Sequence, residues 1–477
     1  MALVLFRIGV RSKSPPGPRG FPLLGHIFPI PALKAWTYFD KCSTKYGPVM
    51  GFSLVGERVL VLNRGPDADE LVRPSQAGIY SSHPQLIYAS KYWYQSRRLI
   101  FMPYGDELRR HRAAFYQMLQ ASDAASSAVH QEIESTKLLL DILENRQHLF
   151  ENIEQFSVAV IYKLTYGKRM EGNERDLEDM AQVIHELNEK CQSSIHLVDC
   201  WPFLDNLPDS LAPWLREALR GHEVEATICG RLAEDVEVCR LDGRLQEECF
   251  VTRLLEQGRK LGFDRKSTAY LAGTAFEAGR GTTSSEITWF IAAAPLYLQS
   301  VKLARKEMDM VLSDRIPKIG DLDNLPYCTA LVKEVLRCAP SVPCGVSHRS
   351  LEDDEFRGYQ IKKGTTVIPN IWGMHHDESV FQDSSQFDPS RFLEHTKSTS
   401  DNGKTLVNIC LGRFLGASSV WIAVVRLIWA FNILPVLDDT GDAILPITFR
   451  VGLLGLYGAS GLYLLYEELL ISNELIQ

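Results

Sequence analysis

Four short constellations in this chain hold residues able to do chemistry. In Ile409-Cys410-Leu411-Gly412-Arg413 a cysteine stands just before an apolar, helix-like run carrying Trp421 and Trp429. Main-chain N–H groups and the helix dipole at such a place favour a thiolate, which can ligate a metal; a buried inert thiol is the plainer reading. In Phe276-Glu277-Ala278-Gly279-Arg280-Gly281-Thr282-Thr283, glycines and threonines interrupt a long helical stretch from about Asp264 to Ala294. Glycine there lets another group approach the backbone, and Thr282 would present its hydroxyl to a ligand; a helix crossing built on small residues explains the same pattern. Glu334-Val-Leu-Arg337 puts opposite charges on one helical face, a pair worth under about 1 kcal/mol if it lies at the surface. Phe387-Asp388-Pro389-Ser390-Arg391-Phe392 adds an arginine whose guanidinium would join Glu334 and Arg337 in a three-way network, unless the segment is an ordinary turn.

The elements that must position these residues are mostly helical. Ser14-Pro15-Pro16-Gly17-Pro18 is a rigid hinge that cannot be helix. Val49 to Leu54 and Arg58 to Leu62, split by Gly56, predict a hairpin. From about Asp106 to Cys338, apolar residues recur at three and four, so helix follows helix. Asp205 to Asp209 and Pro317 to Pro326 read as loops, and strand-like, Pro- and Gly-rich segments run from Pro340 to about Phe392. A last helix is predicted over Ala417 to Phe431. No linker divides the chain, so the expectation is a mainly α protein with a small β subdomain: residues 1–14 a short N-terminal remnant, and 15–477 one domain with an atypical tail beyond about 446.

Composition excludes some functions. The chain has 477 residues, 45% apolar and 23% charged, and a net charge of −8 that argues against nucleic acid as a partner. Its ten cysteines form no CxxC pair, which suits free thiols in a reducing compartment. Met1 to Val10 and Val451 to Tyr466 are apolar but short of the ~20 residues of a membrane span. No GxSxG, HExxH, P-loop or GxGxxG fingerprint is present. His375-His376 could suggest a metal pair, but neighbours on a strand point to opposite faces, which favours solvent or structural roles.

The order of these segments resembles the cytochrome P-450 superfamily, and most closely its fungal members, from the hinge at Pro15 to about Leu445. Glu334 and Arg337 match its ExxR pair, Phe387 to Phe392 its PERF-type segment, Ala278 to Thr283 its oxygen-binding helix, and Ile409 to Arg413 the end of its cysteine loop. Tyr104 to Arg112 match the helix whose WxxxR pattern touches a haem propionate, and His348 a position that often does so. The resemblance implies a cytochrome P-450 fold binding haem b, with Cys410 as the axial ligand, Arg112 and His348 on the propionates, and Thr282 as the catalytic hydroxyl. A thiolate ligand pushes electron density onto iron and favours O–O cleavage. The implied activity is insertion of one oxygen atom from O2 into a small lipophilic substrate, with electrons from NADPH through a separate flavin reductase. The implied location is the cytosolic face of the endoplasmic reticulum if an anchor functions, and otherwise the cytoplasm with peripheral membrane contact.

The chain departs from the family pattern at four places. Gly403 to Cys410 lacks the usual aromatic, glycine turn and arginine. Gly281 stands where an acid precedes the threonine, leaving Glu277, one turn back, as a substitute through water. Leu108 replaces a tryptophan, and the residues after Leu445 are unlike the family's terminal strands. These keep two alternatives open: a haem-thiolate peroxygenase or isomerase, and an impaired, haem-poor relative.

Overall fold

The computed structural model describes residues 14–21, 25–26, 30–31, 34–54, 56–72, 77–119, 124–170, 179, 196–245, 247–393, 410–434, 436–437 and 443–444. The apolar stretches at Met1–Val10 and Val451–Tyr466, and the loop from Gly403 to Ile409, lie outside the described residues.

The main helices are α1 (Ala35–Tyr46), α2 (Asp106–Met118), α3 (Ala124–Glu144), α4 (Leu149–Tyr166), α5 (Pro213–Leu241), α6 (Phe250–Leu261), α7 (Arg265–Ala293), α8 (Leu298–Leu312), α9 (Pro326–Cys338) and α10 (Arg413–Ala430). At the centre is α7, 29 residues long. Asp264 caps it, accepting from the Ser267 N–H at 2.6 Å. Pro295, in the 3-10 turn that follows, stops it. Its apolar residues Ile287, Phe290 and Ile291 pack with Ile153 and Phe156 of α4, Leu331 and Val335 of α9, and the buried run of α10. Two helical stretches, Arg265–Leu312 and Arg413–Ala430, are long and apolar enough to cross a membrane by composition alone, yet over half of the apolar 18-residue window in each is buried inside the protein, as in core helices.

The small residues of α7 serve helix packing. A Cβ at Gly279 would stand 2.7 Å from Ile161 Cγ1 on α4, and one at Gly273 would stand 2.6 Å from Cys229 Sγ on α5. Glycine at these two places lets the three helices approach.

The sheet has the order β1-β2-β6-β3. Strands β1 (Val49–Leu54) and β2 (Glu57–Leu62) form the predicted hairpin, turning at Gly56 with φ 85°. Strand β6 (Thr366–Pro369) runs parallel to β2, and β3 (His348–Arg349) pairs antiparallel with β6, His348 opposite Val367. Strands β4 (Asp354–Phe356) and β5 (Tyr359–Ile361) make a separate hairpin, and β7 (Val436–Leu437) pairs with β8 (Ala443–Ile444).

Two local expectations are corrected. The last helix begins at Arg413, not Ala417, so Gly416 lies inside it, its N–H bonded to Gly412 O at 2.9 Å. A helical glycine costs about 1 kcal/mol, which the almost wholly buried run from Ser419 to Ile428 outweighs. His375 ends a short helix, Ile371–His375, instead of lying on a strand. The His376 ring stacks on Trp372 at 3.9 Å.

Candidate functional site

Glu334 and Arg337 are both fully buried, so this is no surface pair. The guanidinium binds the carboxylate in bidentate fashion, Nε to Oε2 at 2.7 Å and Nη2 to Oε1 at 2.8 Å. Arg337 Nη1 also donates to His375 O at 2.8 Å. Arg391 Nε donates to Glu334 Oε1 at 3.2 Å, and the Asp388 N–H reaches the same oxygen at 2.8 Å. The remaining donors of Arg391 end on the carbonyls of Gln382, Asp383 and Gln386. One carboxylate and two guanidinium groups thus tie α9 to the segment 382–391. Such a cluster is tolerable in the interior because nearly every donor has an acceptor.

Cys410 sits two residues before the first turn of α10. Its sulfur accepts the Gly412 N–H at 3.3 Å. The far end of α10 is capped by Arg305, whose guanidinium donates to Ile428 O and Phe431 O. Cys410 as a whole is exposed. Desolvation of its sulfur pushes the thiol pKa up, and nearby Glu286 adds to that; the Gly412 N–H and Arg413 pull it back down.

The middle of α7 is more exposed than its flanks, and Glu286 there is close enough to Cys410 to act on it electrostatically. Ala278 is exposed and Thr282 partly exposed, although the turns before and after are buried. Positions 278, 282 and 286 are one turn apart and share a face. Thr282 Oγ1 donates to Ala278 O at 2.9 Å. Glu286 has its carboxyl bonded by both the N–H and the hydroxyl of Ser341, and burial pushes its pKa up to about 7.

A cationic corner forms where β3 meets the segment before α2. His348 Nδ1 bonds Tyr80 O at 2.7 Å, and His83 Nδ1 bonds Ser347 O at 3.0 Å. The two rings lie 5.3 Å apart. A carbonyl only accepts, so each Nδ1 carries a proton and each neutral ring offers Nε2 as an acceptor. Burial lowers both pKa values, to about 4 for His83 and about 3 for His348; Arg112 lowers both further, and His83 also lowers His348. Arg112 is itself pulled down by burial. Among the described residues Arg112 has no carboxylate within ion-pair distance. A half-buried guanidinium and two buried imidazoles without an anion suit a ligand bearing carboxylates.

Sequence reasoning missed His83, whose partners are remote in the chain, and Glu286, whose spacing of four from Thr282 was a usable signal. It missed a buried network as well. Arg98 Nε donates to Glu225 Oε1 at 3.0 Å, Trp93 Nε1 donates to Glu225 Oε2 at 2.8 Å, and Arg98 Nη1 lies 2.7 Å from Glu277 Oε2. Arg98 and Glu225 are each 1% exposed. This corrects the expectation for Glu277: its carboxylate pairs with Arg98 instead of standing ready beside Thr282.

Comparison with known proteins gives a consistent result. The family model for cytochrome P-450 matches residues 15–448. The chain is similar to cytochrome P-450 monooxygenase 69 of Postia placenta, 32% identical, with 91% of this chain and 85% of that protein covered. It is similar to cytochrome P-450 monooxygenase 58 of the same fungus, 31% identical over 94% of this chain and 88% of the relative. It is also similar to cytochrome P-450 monooxygenase FrzL of Cladobotryum sp, 31% identical over 88% and 81% of the two chains.

Proposed function

The chain belongs to the cytochrome P-450 family, and on that premise we propose that Cys410 is the thiolate that holds the iron of haem b, with Thr282 as the hydroxyl of the oxygen chemistry. The protein is a haem-dependent monooxygenase: one oxygen atom of O2 enters a lipophilic substrate, the other leaves as water, and a reductase supplies the electrons. Haem, when bound, supplies the activation of O2. Every other task falls to the chain. Arg112 and His348, with His83 beside them, hold the propionates. Accepting a carboxylate at His348 Nε2 requires that ring to take a second proton, which the anion itself favours. Glu334, Arg337 and Arg391 hold α9 against the segment that leads to Cys410. Residues 15–477 act as one domain.

One observation carries this reading: a cysteine just before α10, bonded by the Gly412 N–H, lies close enough to Glu286 of α7 to feel its charge, on the helix face that also carries exposed Ala278 and half-buried Thr282. A sulfur that accepts a main-chain N–H, a helix N-terminus and a threonine-bearing wall are the parts a haem-thiolate site needs. The test is the reduced, carbon-monoxide-bound absorption spectrum of the purified protein and of Cys410→Ser. The band that names the family is expected in the first and not in the second. Its absence from the unaltered protein, or its survival in the variant, overturns the assignment.

Membrane contact belongs to the same reading. Trp201, Phe203 and Leu211 are 41%, 68% and 65% exposed, close together just before α5. A tryptophan among exposed apolar residues suits the headgroup boundary of a bilayer, here the cytosolic face of the endoplasmic reticulum. Flotation with phospholipid vesicles is expected for the protein and not for Trp201→Ser/Phe203→Ser.

A further inference from the structure

The buried charges around Arg98 do not balance. One guanidinium faces two carboxylates, Glu225 from α5 and Glu277 from α7. Glu225 is fully served: Oε1 accepts from Arg98 Nε at 3.0 Å, and Oε2 accepts from Trp93 Nε1 at 2.8 Å. Glu277 is not. Its Oε2 lies 2.7 Å from Arg98 Nη1, but its Oε1 is buried with no hydrogen-bond partner among the described residues. The side chain is only 9% exposed. Other cations near this end of α7 are engaged elsewhere. Arg97 lies 3.5 Å from Asp264, Lys266 donates to His222 Nε2 at 3.1 Å, and Arg280 reaches Glu154 at 2.6 Å. His222 adds no charge, since its Nδ1 proton goes to Trp93 O at 2.6 Å and its Nε2 accepts. The cluster thus keeps one negative charge in excess, and one of its oxygens is bare. Both are costly in the interior unless something offsets them.

Glu277 also stands at the more exposed middle of α7. Ala278 beside it is exposed, and Gly281 and Thr282, one turn on, are partly so. Side chains on a helix lean toward its N-terminus, so a side chain at Gly281 would lie over the turn that holds Glu277. Glycine has none, and that turn is left uncovered. A ligand group can therefore approach the bare oxygen from the stretch of helix that carries Thr282.

We infer that Glu277 anchors the substrate, and that this substrate is a lipophilic molecule carrying a protonated amine, whose N–H donates to Glu277 Oε1. The inference rests on the haem-thiolate reading above and names the substrate class of that site. A neutral hydroxyl would satisfy the bare oxygen but leave the excess charge. An ammonium group does both, in a charge-assisted hydrogen bond. Arg98 holds the other carboxylate oxygen, so the acceptor is fixed before the substrate arrives. The amine then ties one end of the substrate to the part of α7 where Thr282 stands, and the apolar remainder supplies the rest of the binding.

The experiment measures dissociation constants by calorimetry on the full chain, with a matched pair of probes. N,N-dimethyldecylamine is cationic at neutral pH and has one N–H; decyl methyl ether is neutral and has no donor. The proteins are the unaltered chain, Glu277→Gln and Glu277→Asp. The glutamine variant leaves Arg98 and Glu225 as a balanced pair, and the aspartate variant keeps the charge. The unaltered protein is expected to bind the amine at least about 10-fold more tightly than the ether, the worth of a charge-assisted hydrogen bond. Glu277→Gln is expected to lose that preference while its constant for the ether stays the same. Glu277→Asp should keep part of the preference. An amine that binds the unaltered protein no better than the ether overturns the inference, as does a preference that survives in Glu277→Gln. So does an equal weakening of both probes in the two variants, because the carboxylate would then only support the fold. Failure of the haem-thiolate reading is distinguishable: the carbon-monoxide band would be missing from the unaltered protein, whatever the two probes do.

Discussion

His83 and His348 face each other at 5.3 Å, each giving its Nδ1 proton to the backbone of the segment that carries the other. His83 bonds Ser347, next to His348, and His348 bonds Tyr80, three residues before His83. The pair therefore clamps the segment before α2 to β3, and both rings are neutral when nothing anionic is near.

The clamp sets a pH dependence. Both folded pKa values, about 4 and about 3, lie below the ordinary histidine value of 6.5. The unfolded chain therefore binds more protons throughout that window, and folding stability falls as pH falls from about 6.5. Stability is fully present above 6.5 and is lost on descending through about 4 and 3. Denaturant midpoints of the haem-free protein from pH 7 to pH 4 are expected to show this decline, and His83→Gln is expected to flatten it. Haem propionates oppose it by favouring the charged rings, so the loaded protein should lose less.

Glu334→Gln removes the single carboxylate that two buried guanidinium groups share. The expected loss is about 3–5 kcal/mol, since an unpaired buried charge remains. Arg391→Ala should cost less, because that side chain is 10% exposed and water can replace part of its role. Equilibrium unfolding and haem content, measured together, check both.

Arg98→Met leaves Glu225 and Glu277 buried and facing each other without a cation. A destabilisation of about 3–5 kcal/mol is expected, read as a lower denaturant midpoint. Adding Glu277→Gln should recover part of it, by removing the like-charge repulsion.

Gly279→Val forces a side chain into Ile161, where even a Cβ would be 2.7 Å from Cγ1. Overpacking at this crossing should cost about 1–3 kcal/mol. In the Ile161→Ala background the same substitution should cost less, which assigns the effect to the α4–α7 contact.

Much of this was legible in the sequence. Helical periodicity announced α7 within a residue or so at each end, because Asp264 and Pro295 are local start and stop signals. The Glu334–Arg337 pair followed from a spacing of three, but its complete burial did not. Burial depends on what packs above α9, and residues 382–391 arrive from far along the chain. The onset of α10 was misread because Gly416 looked like a boundary, whereas tertiary packing carries a glycine through a helix. Arg98 gave no signal at all. Its partners Glu225 and Glu277 come from two other helices, and only the fold brings the three charges together.

The two ends of α10 have a consequence for electron transfer. At 18 residues it spans about 27 Å, with Cys410 at its positive pole and Arg305 holding its negative pole. An anionic sulfur and a cation at opposite tips both lower the energy of the aligned peptide dipoles. The rod is thereby polarised in a fixed direction, with its positive end toward the sulfur. Under the haem-thiolate assignment proposed for Cys410, the helix would take up part of the ligand's charge, so part of the centre's reduction potential would be set by α10 itself.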